Sequence, residues 1–283
     1  MPFIVPIDTA RSRFPDYEFV APLTASEQKS AFHVRKNAQD YCLKIIAPNY
    51  ALNRLQREVL AMEAIDHPNV VRLIEYEYSA KLGQERHYLV EEFIAGTDLT
   101  SHLTPGSSWP LSKIIEVFGK LCDGLEHLRA KEIVHRDLKP SNIRVRGTGD
   151  PVIIDFGLAR ILNMESVTLT AEGAMFGTPL YFAPEQFLGT KRDIDHRTDL
   201  YALGVLMFEA AVGSHPSVTG KVGTFQDLSD AVCLSESFAA IPAFKALPDK
   251  LQLILRRLLA KERSKRPSEA ATVAKLLRGL GAA

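Results

Sequence analysis

The spacing of apolar residues divides the chain into a strand-rich first part and a helix-rich remainder. Short apolar stretches between about residues 17 and 47, such as 41–46, predict strands. Apolar side chains at three-to-four spacing predict one helix at 53–65, and strand character returns at 70–76 and 87–93. The first part is therefore expected to form a small sheet with one main helix.

Helical periodicity dominates after Gly96. A series of apolar residues at helical spacing predicts a long amphipathic helix that begins near Pro110. Two short strand-like pieces, 143–145 and 151–154, precede a loop-rich stretch that extends to about residue 184. The rest of the chain is predicted to be helical, including helices at 200–212, 251–260 and 268–280.

This order of elements predicts an α+β fold with two lobes and a cleft between them. We expect a single catalytic domain over 1–283. Its β-rich first lobe covers about 14–93, a hinge lies at about 92–97, and the α-helical second lobe covers about 98–281.

Composition and charge narrow the choice of partners. Thirty-four Lys and Arg residues balance 34 Asp and Glu residues, so there is no overall charge to attract nucleic acid or an anionic membrane. The most apolar stretch, 200–212, is too short to span a bilayer. The three cysteines lack zinc-site or disulfide spacing, which is typical of a reducing cytosol. We expect a cytoplasmic protein with no membrane span and no nucleic-acid partner.

The segment 135–142, His-Arg-Asp-Leu-Lys-Pro-Ser-Asn, carries the clearest chemistry. Phosphoryl transfer needs an oriented hydroxyl and positive charge near the transferring oxygens. Asp137 can orient the hydroxyl, Lys139 can stabilise a γ-phosphate, and the amide oxygen of Asn142 can hold Mg²⁺. Asp155 follows an apolar strand at a Phe-Gly turn and offers a second oxygen ligand.

Together these motifs resemble those of eukaryotic-type (Hanks-type) serine/threonine protein kinases, and bacterial members in particular. The resemblance extends from about residue 17 to 280, and several ordered motifs are far more specific than any single one. The other motifs are Lys44 on a strand, Glu58 on a helix as its expected partner, the segment 177–185 ending in Ala-Pro-Glu, the segment 199–204, and Arg266 as the expected partner of Glu185.

The resemblance implies transfer of the γ-phosphate of ATP to Ser or Thr hydroxyls of protein substrates, with Mg²⁺ or alternatively Mn²⁺. It places His135 in the core, behind the chemistry. It implies adenine contacts from the backbone of Glu92 and Ile94. The positions that it assigns to catalysis are Lys44, Glu58, Asp137, Lys139, Asn142 and Thr178; those assigned to the nucleotide or metal are Cys42, Lys44, Glu92, Ile94, Asn142 and Asp155.

Arg136, next to Asp137, implies regulation by phosphorylation, because an arginine pocket can be ordered by a phosphate group. Thr170 is the first candidate for this phosphorylation, and Thr168 and Ser166 are the others. Transient self-association would serve autophosphorylation.

The chain departs from the family pattern at the nucleotide. The glycine-rich loop is missing, since residues 23–32 contain no glycine. Ser26 and Lys29 could supply hydrogen bonds and charge to the phosphates instead. Glu91 and Arg144 occupy positions of this site that are usually uncharged. Each needs a partner or water, and one option is that they pair with each other.

The sequence leaves two alternatives to an active protein kinase. A pseudokinase, acting as a binding or scaffold module, is favoured by the altered loop and opposed by the retained Lys44, Asp137, Asn142 and Asp155. A kinase of small molecules is disfavoured by Lys139 and by the Ala-Pro-Glu segment.

Overall fold

In a computed structural model of the protein, the structure describes residues 2–26, 29–48, 59, 62–155, 179–188, 194–218, 224–235 and 237–281. The chain divides into two compact units, 1–94 and 95–283.

The first unit is a five-stranded antiparallel sheet with a short helix before it. The strand order is β1-β2-β3-β5-β4, so β3 and β5 are hydrogen-bonded on both sides. Of the helix predicted at 53–65, the described residues Val59, Met62 and Glu63 are helical, whereas Ala64 and Ile65 are not. The elements are α1 (Ile7–Arg13), β1 (Glu18–Pro22), β2 (Lys29–Lys36), β3 (Gln39–Ile46), β4 (Leu73–Ser79) and β5 (Arg86–Glu92).

Helix α1 packs on one face of this sheet, and the apolar pattern did not predict it. Ala10 and Phe14 are buried in a core cluster with Leu43 and Ile45 of β3. The ring of Phe14 meets that of Tyr88 edge-on, with centroids 5.2 Å apart. Because side chains alternate along a strand, Lys44 of β3 points to the opposite face of the sheet.

The second unit is mainly helical and contains a small three-stranded sheet, β6-β7-β8. The long helix begins after Pro110 as predicted and packs against the last helix of the chain. The elements are β6 (Thr97–Asp98), α2 (Leu111–Ala130), β7 (Ile143–Val145), β8 (Pro151–Ile153), α3 (Pro184–Phe187), α4 (His196–Val212), α5 (Phe225–Leu234), α6 (Pro242–Lys245), α7 (Asp249–Leu258) and α8 (Ala270–Arg278).

Helix α4 is buried on nearly all sides, which confirms the predicted core helix. It begins earlier than the apolar residues indicate, because the Asp195 side chain accepts a hydrogen bond from the Arg197 N–H and caps the helix. It ends at Gly213, which has a φ of 78° and where a Cβ would lie 2.8 Å from the Ser107 nitrogen.

Helix α5 lies in the part of the chain predicted to be helical, and its start has a signal that the apolar spacing alone does not give. Thr224 and Asp227 form a capping box, in which each side chain accepts a hydrogen bond from the backbone N–H of the other. Among the described helices, none combines the length and apolar character needed to cross a membrane.

Candidate active site

The backbone of the loop that carries Asp137 is anchored by one buried carboxylate, that of Asp199. Asp199, near the start of α4, accepts hydrogen bonds from the backbone N–H groups of His135 and Arg136, each at 2.7 Å. Burial raises the pKa of Asp199, and the neighbouring His135 and these N–H donors oppose the rise. Arg136 has a φ of 66°, a strained conformation that the two hydrogen bonds stabilise.

His135 is fully buried and serves as a scaffold for the loop. Its Nδ1 accepts a hydrogen bond from the Asp137 N–H at 3.2 Å, and its Nε2 lies 3.0 Å from the Ile154 carbonyl oxygen. Because Nδ1 is an acceptor, the ring proton is on Nε2 and is donated to that carbonyl. The prediction that His135 is a core residue is confirmed.

Asp137, Lys139 and Asn142 come together as the sequence predicts. The Lys139 ammonium donates to Oδ2 of Asp137 at 2.7 Å. The side-chain amide of Asn142 donates to the same Oδ2 at 3.0 Å and to the Asp137 carbonyl oxygen at 2.8 Å. These contacts fix the orientation of the carboxylate, which is half-buried and therefore remains accessible.

Asn142 and Asp155 lie at adjacent strand ends. Strands β7 and β8 pair Ile143 with Ile153, and the Ile154 N–H extends this pairing by donating to the Asn142 carbonyl oxygen at 2.9 Å. Asp155 follows directly, with a φ of 61°. Because the Asn142 amide nitrogen donates to Asp137, its Oδ1 points the other way. Amide and carboxylate oxygens are the ligands that Mg²⁺ prefers, so this donor set fits the ion.

Glu185 and Arg266 form the ion pair that the sequence predicts. Two nitrogens of the guanidinium donate to the two carboxylate oxygens at 2.7 and 2.8 Å. The Thr198 hydroxyl donates to Glu185 at 2.8 Å, and Arg266 also donates to three backbone carbonyls. This pair connects the start of α3 to the segment that precedes α8.

In the first unit, Lys44 forms a buried ion pair with Glu91. The strand register places Cys42 opposite Glu91 and Lys44 opposite Leu89, so Lys44 and Glu91 are diagonal neighbours on one face of the sheet. The family resemblance predicts Glu58 as the partner of Lys44 and does not predict the contact with Glu91. Because side chains alternate along a strand, Cys42 and Lys44 share one face of β3, and pairing Cys42 with Glu91 brings Glu91 to the same face.

Arg144 also finds a partner within its own unit. It lies opposite Asp98 in the β6–β7 ladder, and its guanidinium donates to the Asp98 carboxylate at 2.8 Å and to the Gly96 carbonyl oxygen. Glu91 and Arg144 thus each have a partner within their own unit.

The predicted adenine-binding residues lie at the end of the first unit. The Glu92 N–H donates to the Arg72 carbonyl oxygen at 2.9 Å, and Ile94 is buried. Gly96 follows with a φ of 144°, and a Cβ at this position would lie 2.0 Å from the Val145 carbonyl oxygen. Glycine is therefore required there.

The glycine-free loop between β1 and β2 is held by backbone hydrogen bonds. The Ser26 N–H donates to the Lys29 carbonyl oxygen at 2.9 Å. The N-terminal segment, residues 3–5, braces this loop: the Phe3 N–H donates to the Ser26 carbonyl at 2.7 Å, and the Val5 N–H donates to the Ser30 hydroxyl at 2.8 Å. Ser30 in turn donates to the Phe3 carbonyl at 2.7 Å. The backbone N–H of Ser26 is thus engaged inside the loop.

Several predicted site residues lie outside the described residues, so the structure says nothing about their positions. They are Glu58, Phe156, Ser166, Thr168, Thr170 and Thr178.

The fold and the Asp137 loop define a protein kinase-like domain, and comparison with known proteins agrees. A model of the protein kinase domain matches residues 27–277, so the chain belongs to that family. The predicted family and its α+β fold are confirmed.

Among its relatives, the chain is 33% identical to the serine/threonine-protein kinase pkn2 of Myxococcus xanthus over 79% of this chain and 26% of that protein. It is 31% identical to the DNA damage-responsive serine/threonine-protein kinase RqkA of Deinococcus radiodurans over 92% of this chain and 39% of that protein. It is 27% identical to the serine/threonine-protein kinase PrkC of Bacillus subtilis over 79% and 34%, respectively. The chain therefore spans well under half the length of these relatives.

Proposed function

We propose that this domain transfers the γ-phosphate of ATP to serine or threonine hydroxyls of protein substrates. The observation that carries the proposal is the Asp137 carboxylate, oriented by Lys139 and Asn142 on a loop that Asp199 anchors. Phosphoryl transfer depends on positioning and electrostatics more than on covalent chemistry, and this arrangement supplies both.

Each group of the loop has a distinct proposed role. Asp137 orients the attacking hydroxyl and accepts its proton. Lys139, 2.7 Å from that carboxylate, neutralises the charge that develops on the transferred phosphoryl group. Asn142 and Asp155 would hold Mg²⁺, which when bound neutralises negative charge on the phosphate oxygens.

The remaining site residues are proposed on the family resemblance. Lys44 contacts the α- and β-phosphates, Cys42 lines the adenine site, and the backbone groups of Glu92 and Ile94 contact adenine. In place of the missing glycine-rich loop, Ser26 before β2 and Lys29 at the start of β2 would supply hydrogen bonds and charge to the phosphates. Glu58 is a further partner of Lys44, and Thr178 contacts Asp137 and Lys139.

Regulation by phosphorylation of the segment that contains Thr170, Thr168 and Ser166 is part of the proposal. Arg136 supplies the cation for the phosphate, and the Gln186 amide fixes the Arg136 backbone by donating to its carbonyl oxygen at 2.8 Å. Two copies would associate transiently for this reaction, so the rate of autophosphorylation should rise with protein concentration. A cytoplasmic location is supported by three free cysteines among the described residues.

The test is incubation of the purified domain with Mg²⁺ and γ-labelled ATP, alone and with a generic basic protein. Asp137→Ala should reduce labelling by about a hundredfold or more, the usual contribution of a positioned general base. Asp150→Ala, a carboxylate change in the turn between β7 and β8, is the matched control and should retain activity. Phosphoamino-acid analysis should detect phosphoserine or phosphothreonine. Absence of Asp137-dependent label would favour a binding module.

A further inference from the structure

We propose that Glu91 is a positioning residue for phosphoryl transfer, which holds the Lys44 ammonium from the neighbouring strand in the orientation that receives the ATP phosphates. The inference rests on the proposed function for the role of Lys44. The role of Glu91 itself comes from the ion pair, its burial and the strand register.

The two charges are buried together. The side chains of Lys44 and Glu91 are 5% and 3% exposed, and their charged atoms are in contact. An isolated ion at this depth would be strongly destabilising, so each charge stabilises the other in place. An ammonium group has three N–H donors, so its contact with Glu91 is compatible with further acceptors such as phosphate oxygens.

The backbone that carries Glu91 is paired with a neighbouring strand on each side. Strand β5 lies between β3 and β4, and Glu91 is opposite Cys42 on one side and Leu73 on the other. A carboxylate fixed by ladders on both sides holds its partner more precisely than one on a mobile element. Lys44 is therefore oriented through the sheet itself, whatever Glu58 contributes.

The chemistry predicts the direction of the effect. Glu91→Gln keeps the shape and one hydrogen-bond acceptor but removes the charge, so the Lys44 ammonium loses its partner within the sheet. Charge-assisted hydrogen bonds are strong enough that kcat/KM for ATP should fall by about ten- to a hundredfold. Glu91→Asp keeps the charge on a shorter side chain and should restore part of the loss.

The matched control is Glu77→Gln. Glu77 lies on β4 of the same sheet and also pairs with a lysine, Lys81, but this pair is partly exposed and outside the proposed site. This variant should keep the kinetic constants of the wild type, so a general effect of removing a carboxylate from the sheet would be recognised.

The experiment has two arms: transfer kinetics at varied ATP concentration, and calorimetric MgATP binding in the Asp137→Ala background, where transfer does not consume the nucleotide. We expect Glu91→Gln to weaken both, and to have no additional effect on MgATP binding when Lys44→Met is also present. That dependence on Lys44 is a result which a merely structural role would not produce. If Glu91→Gln does not fold, Glu91→Asp takes its place in both arms.

The outcomes separate this inference from the proposed function. If the wild type binds MgATP without transferring phosphate, and Glu91→Gln weakens binding through Lys44, the kinase proposal fails and the positioning role stands. If transfer occurs but Glu91→Gln leaves kcat/KM and binding unchanged, or increases them, the positioning role is overturned. It is also overturned if the wild type does not bind MgATP.

Discussion

Among the residues that the structure describes, each unit contains one buried ion pair, and the two pairs are built differently. In the second unit Arg266 binds Glu185 through two parallel hydrogen bonds, with side chains 0% and 8% exposed. Its other donors reach backbone carbonyls, and the Thr198 hydroxyl completes the site. In the first unit the pair is Lys44 with Glu91, and the cation is a compact ammonium on a flexible stem.

The difference between the two cations separates a structural contact, Arg266 with Glu185, from a proposed functional one, Lys44 with Glu91. A planar guanidinium with its donors committed to fixed oxygens stabilises one arrangement and has little capacity for a ligand. An ammonium group has three N–H donors, so the contact of Lys44 with Glu91 is compatible with donation to a phosphate oxygen. Burial alone therefore does not indicate the role of a charge; the chemistry of the cation and of its partners does.

The largest expected effect comes from breaking the ion pair between Arg266 and Glu185. Arg266→Ala leaves Glu185 buried without its counter-charge, so the free energy of unfolding should fall by about 3–5 kcal/mol. Denaturant-induced unfolding measures this change. Arg263→Ala, which removes a longer and more exposed contact to Asp195 at 3.4 Å, is the control and should cost far less. Equal losses for the two variants would contradict the distinction.

The next effect concerns Glu209, a partly buried carboxyl of the same unit whose partner is a hydroxyl. The Tyr181 O–H donates to Glu209 at 2.9 Å, and burial raises the pKa of Glu209 to about 7. The folded state then binds more protons than the unfolded state, so this contribution to stability is present at acidic pH and lost as pH rises toward 7. Glu209→Gln should remove a dependence of about 2–3 kcal/mol between pH 4.5 and pH 7.

The measurement is the difference in unfolding free energy between Glu209→Gln and the wild type across this pH range. The difference is needed because burial lowers the pKa of His87 and His215 to about 4, and these histidines change stability in the opposite direction. A pH-independent difference would show that folding does not change the pKa of Glu209 and would contradict the prediction.

A smaller effect tests the brace on the glycine-free loop in the first unit. Ser30→Ala leaves the Val5 N–H and the Phe3 carbonyl without their shared partner, so stability should fall by about 2 kcal/mol. Thermal unfolding measures this change, and proteolysis of the N-terminal segment should accelerate. Ser12→Ala, an exposed serine that donates only to the Thr9 carbonyl, is the control. Identical behaviour of the two variants would exclude the brace.

The smallest effect is expected at an exposed pair. Lys120 contacts Glu116 and Asp150 at the surface of the second unit. Exposed pairs contribute little and are screened by salt, so Lys120→Ala should destabilise less than Ser30→Ala, and the difference should vanish at about 1 M salt. Thermal unfolding at low and high salt checks this, and a large salt-independent loss would contradict it.

Signals between residues close in sequence were enough to predict much of the second unit. The residues around Asp137 are close in sequence, so their spacing alone brings Lys139 and Asn142 to the same carboxylate. The start of α2 after Pro110 and the pairing of Glu185 with Arg266 were also predictable, from a helix signal and from the family resemblance. The capping box of Thr224 and Asp227 is a further local signal, which marks the start of α5.

The sequence by itself determined the family, the α+β order of elements and the chemical groups of the proposed site. Only the tertiary structure showed that Lys44 pairs with Glu91, that Arg144 pairs with Asp98, and that residues 3–5 brace the loop at Ser26. These contacts join residues far apart in the chain, and strand register decides which of them meet. A change in register of one residue would reverse every side chain, and periodicity along one strand does not specify the alignment with its neighbour.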